Sequence, residues 1–221
     1  MFVRGTAAII GSTIEGNVAD GDGGGLFKPI QRYCVDHNTT LAILDSTLSG
    51  NSAGGARGGF VSERPTTLAN STVAFDTGAL GALMFRLANL QCDQGPGTLD
   101  LERSIIAGNL AGDAPSYAAD LDAEDTLAVT GAMAADAAIT LPGGTLDADP
   151  QLLPLADNGG PTRTLALAAG SPAIDAGNHA AALSFDQRGE GCPRVVGAAA
   201  DIGAFEVQRA GDVIFVDGFD P

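Results

Sequence analysis

The chain has 221 residues, a net charge of −16 and one lysine, Lys28. So acidic a chain offers no basic face to neutralise phosphates, which excludes nucleic acid as an expected partner. Hydrophobic residues make up 45% of the sequence but aromatics only 5%, and tryptophan is absent, so a core must be assembled from thin Ala, Val, Leu and Ile layers.

The first predicted unit, residues 1–28, contains a pattern that recurs. With Ser12 as zero, the equivalent positions are Ser46, Ser71 and Ser104, at steps of 34, 25 and 33 residues. Five before zero stand Ala7, Leu41, Thr66 and Leu99; three before, Ile9, Ile43, Leu68 and Leu101; two after, Ile14, Leu48, Val73 and Ile106. Fourteen after stand Leu26, Phe60 and Phe85, and the fourth copy has drifted to Ala118. A fixed register at such a period is the mark of a stacked repeat. Within a copy the apolar spacing is two, which is strand spacing, and no window carries helical periodicity between caps. The expected fold is therefore all-β, a parallel β-helix with coils ~4.8 Å apart.

Five after zero stand Asn17, Asn51, Asp76 and Asn109. A corner side chain of this kind can bond backbone left free by the strands and the amide of the next coil, so these four are expected to form a structural ladder. Gly16, Gly50 and Gly108 precede three of them and permit a tight bend. Phe75 takes that place in the third copy, where the corner is expected to differ.

Residues 29–40 read as an inserted loop carrying Arg32, Tyr33, Cys34 and His37, the last read as a surface residue. Residues 41–64 and 65–88 are the second and third coils, and 89–97 form a second loop with Cys92. Cys34 and Cys92 both lie 12 residues before their zero, on either side of the shortest coil, so they could meet as a disulfide or remain free thiols on separate loops. Residues 98–146 hold the fourth coil and more degraded ones, in which Leu127, Val129, Ile139 and Leu141 alternate. Between Ser104 and Thr162 there are nine acids and no Lys or Arg, including Asp120, Asp122, Glu124 and Asp125. That stretch reads as a solvated acidic face; the alternative is a Ca²⁺ site, the one cofactor weighed.

From 147 to 207 the character changes, with turns at Asn158-Gly159-Gly160-Pro161 and Ser171-Pro172. This segment is expected to be a cap that closes the open end of the stack. Asp175, Asp186, Arg188, Asp201 and Glu206 are expected to be structural, an ion-pair and turn network within it. Residues 208–221 form a tail in which Asp212–Pro221 looks appended. Met1 runs directly into a repeat copy, so upstream coils and a secretion signal are expected to be missing. No run of 18 apolar residues occurs, so no membrane-spanning helix is expected.

The motifs that could carry chemistry are weak. Gly50–Gly54 matches G-x-S-x-G, but it sits on a repeat corner whose other copies lack that serine, not on a strand-to-helix turn. The outward column two before zero is Ile10, Leu44, Ala69 and Glu102, mostly apolar. One before zero stand Gly11, Asp45, Asn70 and Arg103, whose two charges lie two coils apart, too sparse for a polysaccharide-cleaving site. No catalytic residue is assigned.

The repeats, S-T-[IL]-x-G-N followed by paired glycines, resemble bacterial right-handed β-helix surface proteins, including the polymorphic outer-membrane protein repeats. Asp149-Pro150, Asn158–Pro161, Ser171–Gly177, Asp186–Gly189 and Asp201–Glu206 together resemble the choice-of-anchor Q domain. Asp212–Pro221 is similar to a short tail on exported proteins of some Gram-negative bacteria. The resemblance implies a right-handed, single-stranded β-helix, secreted or displayed on a Gram-negative cell surface. The expected function is a non-catalytic module for adhesion or for carbohydrate or surface binding. The alternative is a polysaccharide lyase or glycoside hydrolase of the pectate-lyase-like class.

Overall fold

The computed structural model describes residues 1–29, 39–55, 59–62, 64–78, 83–85, 98–111, 120–124, 127–128, 145–146, 148–177 and 183–208. Among these the fold is all-β, without a helix; every pairing within its sheets is parallel, and isolated antiparallel bridges occur only between Leu152 and Leu167, Ala156 and Thr164, and Phe185 and Pro193. The chain visits four open sheets in rotation. Sheet I holds β1 (Ala7–Ile10), β5 (Leu41–Leu44), β9 (Thr66–Ala69), β13 (Thr98–Glu102) and β16 (Asp120–Glu124). Sheet II holds β2 (Thr13–Glu15), β6 (Thr47–Ser49), β10 (Thr72–Ala74), β14 (Ile105–Ala107) and β17 (Leu127–Ala128). Sheet III holds β3 (Val18–Ala19), β7 (Ser52–Ala53), β11 (Thr77–Gly78) and β15 (Leu110–Ala111). Sheet IV holds β4 (Leu26–Lys28), β8 (Phe60–Ser62) and β12 (Leu83–Phe85), and Phe2 bridges to Phe27 beside β4.

Strand pairing follows the sequence columns. Ile9, Ile43, Leu68 and Leu101 pair in file, as do Ile14, Leu48, Val73 and Ile106. These files, with Leu26, Leu41 and Phe60, make one continuous core. Its layers are one side chain thick, which is why a sequence so poor in aromatics suffices. Thr66 stands in the same file as Leu41 and is fully buried; its hydroxyl donates to Ser62 Oγ at 2.7 Å, so the polar group is satisfied inside the core.

Three expectations need correction. Phe60 pairs with Leu83 and not with Phe85, because the stretch from sheet III to sheet IV is two residues shorter in the third repeat (Thr77 to Leu83, against Ser52 to Phe60). The more degraded coils expected after the fourth include fifth-repeat strands in register, with Leu121 beside Leu99 and Ala128 beside Ile106. Phe75 does not alter its corner: its φ of 62° matches 59° at Gly16, 65° at Gly50 and 62° at Gly108. Hydrogen bonds from the neighbouring repeats hold that geometry, Phe75 N–H donating to Ala107 O as Gly50 N–H donates to Ala74 O.

The third correction concerns the segment from 148 to 208. Its described residues run along the outer face of sheet II, touching four repeats. Thr162 and Arg163 reach Gly11, Thr13 and Glu15; Gln187 reaches Thr47; Ala204 reaches Thr72; Gly203 reaches Arg103. The outer face of sheet II explains this choice. Thr13, Thr47 and Thr72 offer hydroxyls in the first three repeats, while Ile105 and Ala107 turn an apolar patch outward in the fourth. Leu167, Ala173 and Ile202 bury themselves on that patch and make a second, smaller core. Cys34, Cys92, His37, Asp125 and the tail from 209 onward lie outside the described residues.

Candidate functional site

Two polar files run through the corners of the stack. In the first, Asn51 Oδ1 accepts Asn17 N–H at 3.1 Å and Asn17 Nδ2 at 2.9 Å. Asp76 Oδ1 accepts Asn51 N–H at 2.7 Å and Asn51 Nδ2 at 3.0 Å. Asn109 Oδ1 accepts Asp76 N–H at 2.9 Å. The structure thus brings Asn17, Asn51, Asp76 and Asn109 together one above another. The second file is the serine column itself, whose role the sequence alone did not suggest. Ser46 Oγ accepts Ser12 N–H, Ser71 Oγ accepts Ser46 N–H and Ser104 Oγ accepts Ser71 N–H, at 3.1–3.2 Å. Each hydroxyl donates to the carbonyl two residues earlier, so every serine closes its own corner.

Asp76 is the odd member of its file. Burial pushes its carboxyl up to about 7, against the lowering effect of the two Asn51 bonds. Its second oxygen, Oδ2, is buried without a hydrogen-bond partner. Asn51 and Asn109 use the matching atom, Nδ2, to donate to Ile14 O and Val73 O. A protonated Asp76 has an O–H where its neighbours have N–H.

The corner between sheets I and II carries Gly11, Asp45, Asn70 and Arg103, all with φ between 46° and 55°. The segment from 148 to 208 closes over this file, so Asp45, Asn70 and Arg103 are buried. Arg103 Nε donates to Asn70 Oδ1 at 2.9 Å and its Nη2 to Glu102 Oε2 at 2.9 Å. Asp45 is pushed up to about 6, by burial first and Asp186 after it, with Arg194 and Arg103 opposing. Arg194, 1% exposed, donates from Nη2 to Asp201 O at 2.7 Å and Gly203 O at 2.8 Å. Asp45 was read in its column with Arg103 as too sparse for a site, whereas Arg194 was not singled out, since a lone Arg outside the repeats carries no periodic signal.

The five residues assigned to the cap network occupy one connected cluster. Asp186 accepts Arg188 at both carboxylate oxygens, the shortest contact being Oδ2 with Arg188 Nη2 at 2.6 Å, and Oδ2 also takes Glu206 N–H at 2.9 Å. The Arg188 guanidinium lies 3.9 Å from the centre of the Phe205 ring and donates to Glu206 O at 2.6 Å. Asp201 accepts Asp175 N–H at 2.8 Å and Val207 N–H at 2.7 Å. Glu206 accepts Val196 N–H at 3.0 Å and Asp201 N–H at 2.8 Å, one on each oxygen. Burial raises the Glu206 carboxyl to about 7 and also raises that of Asp201. Asp175 accepts Ala198 N–H at 2.6 Å through Oδ1.

A carboxyl poised near 7 is what a general acid needs. Glu206, however, is 1% exposed and both of its oxygens are occupied by backbone amides, so no substrate atom can reach it. Ser52, the serine of the G-x-S-x-G match, lies in β7, between Val18 of β3 and Thr77 of β11. Among the described residues, no group of three His, Cys, Asp or Glu side chains is placed to hold a metal ion. Asp120, Asp122 and Glu124 fall on β16.

One open cleft lies where the outer segment meets the corner between sheets II and III. It encloses about 350 Å³ between Phe75 and Gly108 on one wall and Asp149, Gln151 and Leu152 on the other. Phe75 is 45% exposed there. No protein-family model, curated protein or solved structure matches this chain.

Proposed function

We propose that this chain is a non-catalytic module of a secreted or cell-surface protein, a right-handed parallel β-helix that presents a long rigid flank to carbohydrate or to another surface. The rotation of the chain through four parallel sheets supports the helical architecture, and the resemblance of the repeats and of residues 149–206 to bacterial surface proteins supports the setting. One observation carries the non-catalytic reading. The charged members of the corner file between sheets I and II, Asp45 and Arg103, are buried. Polysaccharide cleavage needs carboxylates open to a chain of sugars. Here Asp186, Asp201 and Glu206 are buried and accept backbone amides.

The test pairs two assays on the full chain. An immobilised panel of neutral, amino and uronate-containing oligosaccharides is expected to retain the protein, and polyuronates incubated with it are expected to be recovered uncut. Accumulation of unsaturated or shortened oligosaccharides would overturn the reading in favour of a lyase or hydrolase.

A further inference from the structure

We infer that the cleft between Phe75 and the turn at Asp149–Leu152 is a saccharide subsite for a neutral sugar unit, an inference that rests on the surface-binding reading above. Its volume, about 350 Å³, lies in the range of small-molecule sites.

The strongest observation is the residue that breaks its column. Three of four corners use glycine at a φ near 60°, where any β-carbon meets a steric cost. The third corner adopts the same backbone with Phe75, and leaves that ring 45% exposed instead of burying it. The ring extends over the next repeat. A β-carbon added at Gly108 would stand 2.7 Å from its Cδ1 and Cε1 atoms, so Gly108 is what lets the ring lie there. Across the cleft Gln151 is also left-handed, with φ at 52°. It is held so by Asp149 Oδ1, which accepts Gln151 N–H at 2.8 Å, and by Ala168 N–H, which donates to Gln151 O at 3.0 Å. Two non-glycine residues thus hold an unfavourable backbone on opposite walls of one cleft. Strain of that kind is retained where the surroundings impose it, and it concentrates at ligand sites.

The chemistry of the walls selects the ligand. A pyranose has a face of C–H groups that packs against an aromatic ring and a rim of hydroxyls that need donors and acceptors together. Phe75 and Leu152 provide the apolar contact. The Gln151 amide supplies both donor and acceptor, and the Asp149 carboxylate has acceptor capacity beyond the bond it gives Gln151. The walls hold no cation and the chain carries a net charge of −16, so a neutral sugar is favoured over a uronate.

The experiment compares the wild-type chain with Phe75→Gly and Gln151→Gly on the immobilised oligosaccharide panel, followed by calorimetric titration of the best neutral binder. Phe75→Gly installs the residue found at Gly16, Gly50 and Gly108, so its melting temperature is expected to equal or exceed that of wild type. Each variant is expected to weaken binding roughly tenfold or more. If both bind like wild type, the subsite inference fails while surface binding stands. If the wild-type chain is retained by no saccharide, the subsite inference fails together with the carbohydrate-binding part of the reading it rests on. Retention by uronates alone overturns the choice of a neutral ligand.

Discussion

The stack and the segment laid along it solve one problem in two ways. In the stack a buried polar group is satisfied by its own counterpart one repeat away: Ser46 stands between Ser12 and Ser71, and Asn51 between Asn17 and Asp76. The outer segment has no repeats, and part of its irregular backbone is satisfied by carboxylates instead. Asp175, Asp186, Asp201 and Glu206 each accept main-chain N–H groups from residues distant in sequence. Repetition spreads the burden over many equal bonds. The outer segment concentrates it in a few buried charges, and damage there should be correspondingly larger.

Arg188→Met tests that difference at its greatest. It leaves the Asp186 carboxylate, fully buried, facing the backbone of Glu206 without its paired guanidinium. Breaking a buried pair from one side costs about 3–5 kcal/mol, and urea unfolding should show a loss of that order. Arg163 offers the control, since its pair with Glu15 is formed at the surface and its own side chain is 55% exposed. Arg163→Ala should cost less than about 1 kcal/mol. Equal losses in the two variants would break the contrast between buried and surface charge.

The stack's exception, Asp76, predicts a pH effect of intermediate size. Its carboxyl rises from an ordinary 3.8 to about 7, Glu206 from 4.5 to about 7 and Asp45 from 3.8 to about 6, burial being the first cause in each. The folded chain therefore keeps protons that the unfolded chain has released. The stability these groups contribute is fully present below about pH 4 and is lost as pH rises through about 7. Urea midpoints should fall between about pH 5 and about pH 8. Asp76→Asn restores the amide used at Asn17, Asn51 and Asn109, with Leu48 O as the register counterpart of Ile14 O and Val73 O. It should be more stable than wild type at about pH 8, on the order of 2 kcal/mol, with a flatter pH profile. A variant weaker than wild type at that pH would show that the file prefers a carboxylate here.

The same contrast decides what could be read in advance. Leu41, Ile43 and Leu48 were legible because the stack imposes one constraint on every copy, and the copies in sequence display it. The fifth repeat was legible only as a degraded coil, since Ala123 stands where the fourth has Leu101 and Ala128 where it has Ile106. The serine file was visible as a column but not as a set of bonds, because nothing in a serine announces that it will accept from the coil before. The threonines at 13, 47 and 72 stand in one column as well, but nothing in the sequence marks them as a face that another segment covers. What covers it was not readable: Gln187 meets Thr47 across 140 residues of chain, with no period to connect them. The motifs of the outer segment suggested a unit that ends the stack, yet its place along the flank depends on Ile105 and Ala107, far from those motifs.

The smallest effect separates backbone from packing within the stack. Gly16 and Gly108 share a left-handed φ, 59° and 62°, but a β-carbon at Gly16 meets nothing within 4 Å, whereas at Gly108 it meets the Phe75 ring at 2.7 Å. Gly16→Ala should therefore cost only the backbone term, about 1 kcal/mol. Gly108→Ala should cost that and roughly 1 kcal/mol more, because the ring must leave its place. The excess belongs to the pair, so it should vanish when Gly108→Ala is made in a Phe75→Gly background, where the two alanine substitutions become equal. A double-mutant cycle read by urea unfolding measures that coupling directly. A coupling near zero would mean that the ring does not rest on Gly108 in solution, and the cleft would lose the wall that makes it a site.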